Sequence, residues 1–211
     1  MKKFFENKHW IIFWRIVRIP LGIILLLFIG LVIYRIPAVI EKQKTEEAVL
    51  RIHAQKITLD DVMGIKLPPE PNQELNDSTI EGIDANQNGI RDDVELVIFK
   101  EYPDSAKTRA VLLQYAFALQ MEATQKIVNK ETVTEVVREQ SRAHYCVGEI
   151  TSRDDMKKFI EIGDKLHGFI ENKQRNTPER KKARKDFVGN IGSYSESENE
   201  VCDINLSVLP N

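Results

Sequence analysis

Ala106 to Val128, AKTRAVLLQYAFALQMEATQKIV, decides the fold of this chain. Its apolar residues recur with a period of about 3.6 and cover more than half of a helix circumference, as expected of a helix packed by several neighbours. Strand alternation is absent here and from Asp104 onward, so the expected fold class is all-α, with this stretch as the central helix of a bundle.

Working outward, Asn129 or Thr132 can cap a second helix in which Val133, Val136, Val137, Gln140, Ala143 and Val147 share one face. Met156, Phe159, Ile160, Gly163, Leu166 and Ile170 repeat the spacing in a third. Thr177, Pro178 and Glu179 place a cap and then a proline at the first helical position, the start signal of a fourth helix running through Ala183, Phe187, Val188 and Ile191. Gly192 and the polar run SYSESENE end regular structure. Residues 104–192 are therefore expected to form the bundle, of four to five helices, and 193–211 a nearly featureless tail.

Upstream, LPPEPNQELNDS (Leu67 to Ser78) has three prolines in five residues and no repeated apolar position, which predicts an extended linker over 67–78. Residues 79–103 then carry a loop and a helix, with the compact domain starting near Thr79. Residues 37–66 read as a stalk helix. Within it Glu41 to Lys56 (EKQKTEEAVLRIHAQK) is rich in helix formers, but Ala48, Val49, Ile52 and Ala54 give only a narrow apolar stripe, as in a solvated spacer. A short helix over Leu59 to Met63 is expected after Thr58.

Ile19 to Ile36, IPLGIILLLFIGLVIYRI, carries one charge, Arg35, and as a helix spans roughly 27 Å, enough to cross a bilayer with little tilt. Lys2, Lys3, Lys8, Arg15 and Arg18 precede it against a single Glu6, so the positive-inside bias keeps residues 1–18 in the cytoplasm and exports the rest. Trp10 and Trp14 suit the headgroup layer. A cleavable signal peptide has a shorter apolar core, and a cut after Ala38 would put Ile36 at the third position back, a poor fit. The expectation is an uncleaved single-pass anchor in the inner (cytoplasmic) membrane, with the C-terminal domain periplasmic or otherwise exported. The chain as a whole, 42% hydrophobic and 29% charged with a formal net charge of -2, is neither disordered nor globally basic.

Cys146 and Cys202 are the only cysteines and both lie in the exported part, where thiols are oxidised. One pairing is possible, closing a loop of about 55 residues; two separate thiols is the other reading. Asn76-Asp77-Ser78 and Asn205-Leu206-Ser207 also match the short glycan-acceptor pattern.

Gly82 to Glu95, GIDANQNGIRDDVE, carries the chemistry. With Asp84 as position 1, Asn86 is 3, Asn88 is 5, Gly89 is 6, Ile90 is 7, Asp92 is 9 and Glu95 is 12, the spacing D-x-[DN]-x-[DN]-G-x5-E. A hard cation taking about seven oxygens at roughly 2.4 Å needs the chain to wrap it, so ligands fall at alternate positions and a glycine permits the turn. A metal-free Asx turn and helix cap is the plainer use of the same residues.

The stretch DANQNGIRDDVE resembles the calcium loops of the EF-hand superfamily, and more closely the short repeats of thrombospondin type 3 modules and exported bacterial proteins. The resemblance covers about 14 residues and implies Ca2+ ligation by Asp84, Asn86, Asn88, Ile90 through its carbonyl, Asp92 and Glu95. The usual apolar residue at position 8 is here Arg91, no incoming helix precedes Asp84, and no second loop is present to pair with. Three ligand charges imply affinity in the weak range of about 0.1 to 1 mM, a structural staple rather than a sensor.

KQRNTPERKKARK (173–185) supplies Lys173, Arg175, Arg180, Lys181, Lys182, Arg184 and Lys185 against one acidic residue. It reads as a solvated face or a contact for anionic lipid or another polyanion; without interleaved aromatics it does not point to nucleic acid. His9, His53, His144 and His167 lie apart in sequence, and His144 and Cys146, two apart on a helix, do not face each other. Asp154 and Asp155 look like helix-start residues, while Glu139 and Glu149 have no evident partner. The function expected is a membrane-anchored, exported helical interaction or scaffold module with one structural Ca2+, accessory to an envelope complex through an unidentified protein partner. The alternative is a cell-envelope hydrolase using carboxylates.

Overall fold

The computed structural model describes residues 3–193, 195, 197 and 200–210, with the backbone alone for residues 3–9 and 11. Among these residues every regular element is helical, eight α-helices and one short 3-10 turn. The chain divides into two units, residues 1–44 and 45–211.

The first unit consists of α1 (Lys3–Ala54), which also continues into the second. From Ile12 onward α1 is long and apolar enough to cross a membrane, and none of its most apolar window is buried. Leu26 and Leu27 are 70% and 68% exposed, a surface that requires an apolar surrounding. Pro20 and Pro37 lie within the helix at the two ends of the apolar stretch. The Trp10 and Trp14 rings meet edge to face at 5.6 Å, and the Arg18 guanidinium lies 4.7 Å over Trp14. Lys2 and the side chains of Lys3, Glu6 and Lys8 lie outside the described residues.

The second unit begins at Thr45, earlier than the sequence suggests. The narrow stripe at the end of α1 docks and is not a solvated spacer. Thr45, Ala48 and Ile52 are all buried, Asn129 donates to the Thr45 hydroxyl at 2.8 Å, and His53 meets the Glu135 carboxylate at 2.9 Å. Then α2 (Leu59–Met63) starts where expected, because Thr58 and Asp61 form a capping box, and stops at Gly64, which takes a left-handed φ of 70°.

The proline-rich segment is not an extended linker throughout. It contains α3 (Gln73–Asp77), capped by Asn72 and holding Asn76 fully buried, which leaves no room for a glycan there. The packing partner is Arg180. Its guanidinium donates to the carbonyls of Asn76 (2.5 Å), Thr79 (3.1 Å) and Ile80 (3.1 Å) and to the Asp77 carboxylate (2.7 Å).

The bundle comprises α4 (Asp92–Glu101), α5 (Ala106–Thr124), α6 (Lys130–Gly148), α7 (Met156–Gln174) and α8 (Pro178–Val188). Helix α5 is central as its all-round apolarity requires, with every residue from Arg109 to Met121 buried. Asn129 and Thr132, alternative caps by sequence, act together in one capping box, and Thr177 caps α8 with Pro178 next to it. Helix α7 departs from expectation at its start: Met156 and Ile160 are 56% and 53% exposed, and burial falls instead on Leu166, Ile170 and Gln174.

The tail is a structural clamp. Cys202 is disulfide-bonded to Cys146, with Cα atoms 5.1 Å apart. Asp203 pairs with Arg142 at 2.7 Å and accepts from the backbone N–H of Ile57 at 3.1 Å. Gln114 donates to the Val201 carbonyl and accepts from the Asp203 N–H. Leu209 is buried in the main core after a 3-10 turn over Leu206–Val208. Tyr194, Glu196, Glu198, Asn199 and Asn211 of the tail lie outside the described residues.

Candidate metal centre

The 84–95 stretch folds into a tight loop that wraps on its own side-chain oxygens. Asp84 accepts from the N–H groups of Asn88 (3.2 Å) and Gly89 (2.9 Å), and Asn88 accepts from Ile90 N–H at 2.9 Å. Both carboxylate oxygens of Asp92 accept from Ala85 N–H, at 3.0 and 3.2 Å, while Asp92 N–H returns to the Ile83 carbonyl at 2.8 Å. Gly89 has φ 84°, and Gln87 takes φ 59° although it is not glycine, a strain that persists only where neighbours enforce it. Asn86 donates out of the loop to the Lys66 carbonyl and within the loop to Glu95 Oε2, each at 3.0 Å. Ile90 is fully buried in the core, which anchors the middle of the loop.

The carboxylates of the loop are anomalous in their charge environment. Asp92 is 0% and Glu95 1% exposed, and among the described residues neither has a cation within ion-pair distance. The other buried carboxylates do: Glu135 pairs with Arg138, Glu139 and Asp203 with Arg142, and Glu122 with Arg184. Burial pushes the Glu95 carboxyl up to about 7; the Asn86 hydrogen bond opposes this, and the carboxylates of Asp61 and Asp92 reinforce it. Asp92 is raised by burial and by Asp84, against the Ala85 N–H bond. Two unpaired buried acids cost several kcal/mol unless something neutralises them. Among the described residues no three His, Cys, Asp or Glu side chains come together as a metal-holding group. The oxygens available also include the amides of Asn86 and Asn88, and that donor set, all oxygen, matches a hard cation such as Ca2+.

Asp61 is a residue that sequence reasoning missed. Its cap role was visible in Thr58-x-x-Asp61, but its electrostatic reach to Glu95 depends on α2 folding back toward the loop. Arg91, the departure at position 8, turns away into the bundle. Fully buried, it donates to the carbonyls of Lys173 (2.6 Å) and Gln174 (3.2 Å) at the end of α7 and pairs with Asp93 at 2.5 Å. A guanidinium there satisfies the last carbonyls of a helix and meets the negative end of its dipole.

The basic run separates into two groups. Arg180 is the buried latch on α3, Arg175 pairs with Glu171 at 2.9 Å, and Arg184 binds Glu122. Lys173, Lys181, Lys182 and Lys185 are exposed and form no ion pair among the described residues.

His144 and His167, far apart in sequence, stack with ring centroids 3.7 Å apart and planes 8° from parallel. Tyr115 stands edge-on to His167 at 4.9 Å and donates its hydroxyl to Glu171 at 2.7 Å. Burial lowers the pKa of both histidines, with Glu171 and Asp164 opposing. Cys146 is held in its disulfide, so it makes no Cys-His pair. Glu139 and Glu149 do have partners, Arg142 and Arg153. Asp155 caps α7, and Asp154 accepts from the Ser152 hydroxyl. Comparison with family models, curated proteins and solved structures finds no match to this chain.

Proposed function

We propose that this chain is a membrane-anchored helical interaction module, facing an exported space, whose 84–95 loop holds one structural Ca2+. The observation that carries the ion is the pair of buried acids, Asp92 and Glu95, left without a cation in a domain where other buried carboxylates have one. Asp84, Asn86, Asn88, the Ile90 carbonyl, Asp92 and Glu95 are the oxygens that would hold it. When bound, it supplies the missing positive charge. The exported placement is supported by the apolar N-terminal helix after a basic flank and by the disulfide, which persists in oxidising compartments. A weak site suits the millimolar calcium of such spaces.

Three sets of hydrogen bonds support the reading of the loop as a staple. Asn76 accepts from Ile83 N–H, Asn86 donates to the Lys66 carbonyl, and Arg91 fastens the far side to α7. Holding this knot leaves the bundle surfaces as the contact region for an envelope partner, with the four exposed lysines offered to anionic lipid or another polyanion.

The test is thermal unfolding of the full-length protein in detergent micelles. With a dissociation constant of about 0.1 to 1 mM, about 10 mM Ca2+ stabilises by about 1.4 to 2.7 kcal/mol over chelator, a rise in Tm of roughly 3 to 10 °C. Glu95→Gln has a signature of its own: it removes an uncompensated buried charge, so it melts above wild type in chelator yet no longer responds to Ca2+. A wild-type melt indifferent to Ca2+ refutes the ion.

A further inference from the structure

Helix α1 brings charge and aromatic rings together just before its apolar stretch. Trp10, Trp14 and Arg18 follow one another at i, i+4 and i+8, so they share a face of the helix. Trp14 is the middle member: its ring meets Trp10 edge to face at 5.6 Å, and the Arg18 guanidinium lies 4.7 Å over it. Arg15 stands three positions before Arg18, a spacing that puts Cβ atoms about 5 to 6 Å apart. Two guanidiniums are thus neighbours on the helix, and both residues are exposed.

Nothing in their own stretch of helix neutralises them. Residues 7–40 contain no Asp or Glu, and Glu6 precedes Arg15 by nine positions, about 13 Å along the axis. Like charges one turn apart repel, and the repulsion is relieved when an anion stands between them. The pair lies at the edge of the apolar stretch, whose exposed side chains require acyl chains around them, so what meets Arg15 and Arg18 is the lipid headgroup layer. The anion abundant in that layer is the phosphodiester of a phospholipid, and a planar guanidinium takes two of its oxygens at once. A zwitterionic headgroup brings its own ammonium and leaves the two guanidiniums uncompensated; an anionic headgroup does not. The Trp14 ring holds the Arg18 guanidinium in place before a lipid arrives, which lowers the ordering cost of the contact. We propose that Trp10, Trp14, Arg15 and Arg18 form a binding site for one anionic phospholipid in the leaflet at the N-terminal end of the span. Its phosphodiester bridges Arg15 and Arg18, and the two indoles flank the headgroup. The site rests on the reading of α1 as a membrane span and is independent of the calcium loop and of the exposed lysines on α8.

Trp10 and Trp14 are the only tryptophans in the chain, so their fluorescence reports on this site alone. The experiment reconstitutes the full-length protein into bilayers of phosphatidylglycerol and phosphatidylcholine at equal mole fractions, with bromine near the headgroup end of the acyl chains of one lipid or the other. Brominated phosphatidylglycerol is expected to quench as if enriched about fivefold or more around the tryptophans, the effect of at least one cation held at an anionic surface. The preference persists in about 1 M KCl, where the Debye length is about 3 Å, and falls towards one in Arg15→Gln/Arg18→Gln. Arg15→Lys/Arg18→Lys keeps both charges, and with them the insertion of the span, but loses about half of the preference or more because an ammonium does not fork onto two oxygens. Equal quenching by the two lipids overturns the site and leaves the span standing. A preference that vanishes in high salt, or that is undiminished in either double variant, is not made by this pair of guanidiniums and overturns the site as well. No quenching by either brominated lipid removes the span and the site together.

Discussion

Gly89→Ala isolates what the backbone of the loop requires apart from any ion. Gly89 has φ 84°, where a Cβ costs about 1 to 2 kcal/mol. An added Cβ lands 2.3 Å from Cε2 and 2.8 Å from Cδ2 of Phe117. That ring is 6% exposed in the middle of α5, so it cannot swing aside into solvent, and overpacking of this kind costs a further 1 to 3 kcal/mol or so. The sum, about 2 to 5 kcal/mol, is a large part of the roughly 5 to 15 kcal/mol that holds a domain folded. At about 2 to 4 °C per kcal/mol for a domain of this size, Tm falls by roughly 4 to 20 °C. The measurement is helical circular dichroism against temperature in chelator, so that no ion contributes. Gly163→Ala is the matched control: it lies inside α7, its Cβ meets nothing closer than His167 at 4.0 Å, and alanine in a helix gains up to about 1 kcal/mol. If Gly89→Ala melts within about 1 °C of wild type while Gly163→Ala is neutral or stabilised, the left-handed turn and its seat on Phe117 do not constrain the loop, and the reasoning fails.

Arg180→Met, which removes the donor from the carbonyls of buried Asn76 and of Thr79 and Ile80 and leaves a ring of contacts without its guanidinium, should lose about 3 kcal/mol or more and expose the 67–83 segment to protease, whereas Lys181→Gln stays within about 0.5 kcal/mol. Reducing Cys146–Cys202, which are 56 residues apart, should remove about 4 kcal/mol on the chain-entropy model and free the tail, seen as faster hydrogen exchange over 200–209. His144 and His167 have folded pKa values lowered by burial, so the unfolded chain binds their protons first. Stability is therefore complete above the ordinary histidine pKa of about 6.5 and declines as pH falls below it. His144→Gln should flatten the Tm profile between about pH 7 and 5, and an unchanged slope would put the acid sensitivity elsewhere.

How much of the fold was legible in the sequence depends on how local each cause is. Helix α5 was legible because burial on all sides leaves its mark in every residue from Ala110 to Leu119, and the starts of α2, α6 and α8 were legible because each cap is settled within four residues. Met156 and Ile160 misled because an apolar stripe records where a helix can be buried, and it does not record where its neighbours end. The stripe of Ala48, Val49, Ile52 and Ala54 misled in the opposite sense, since burial of Ala48 and Ile52 suffices when the neighbouring Thr45 and His53 find Asn129 and Glu135 on α6 and its cap.

Arg91 and Arg180 mark the deeper limit. An arginine in a charged run looks the same in sequence whether water or a ring of carbonyls solvates it, and the carbonyls that hold Arg180 lie about a hundred residues earlier in the chain. Those same contacts explain the loop's departure from the calcium pattern. Where position 8 usually offers an apolar side chain, Arg91 reaches the last carbonyls of α7, and Arg180, two residues into α8, closes on the segment before the loop. Among the described residues, two buried guanidiniums brace the loop, Arg91 from within it and Arg180 through the segment before it. An ion between Asp84 and Glu95 would tighten one end of that brace, and the α7–α8 turn would feel it at the other, because Arg91 spans both.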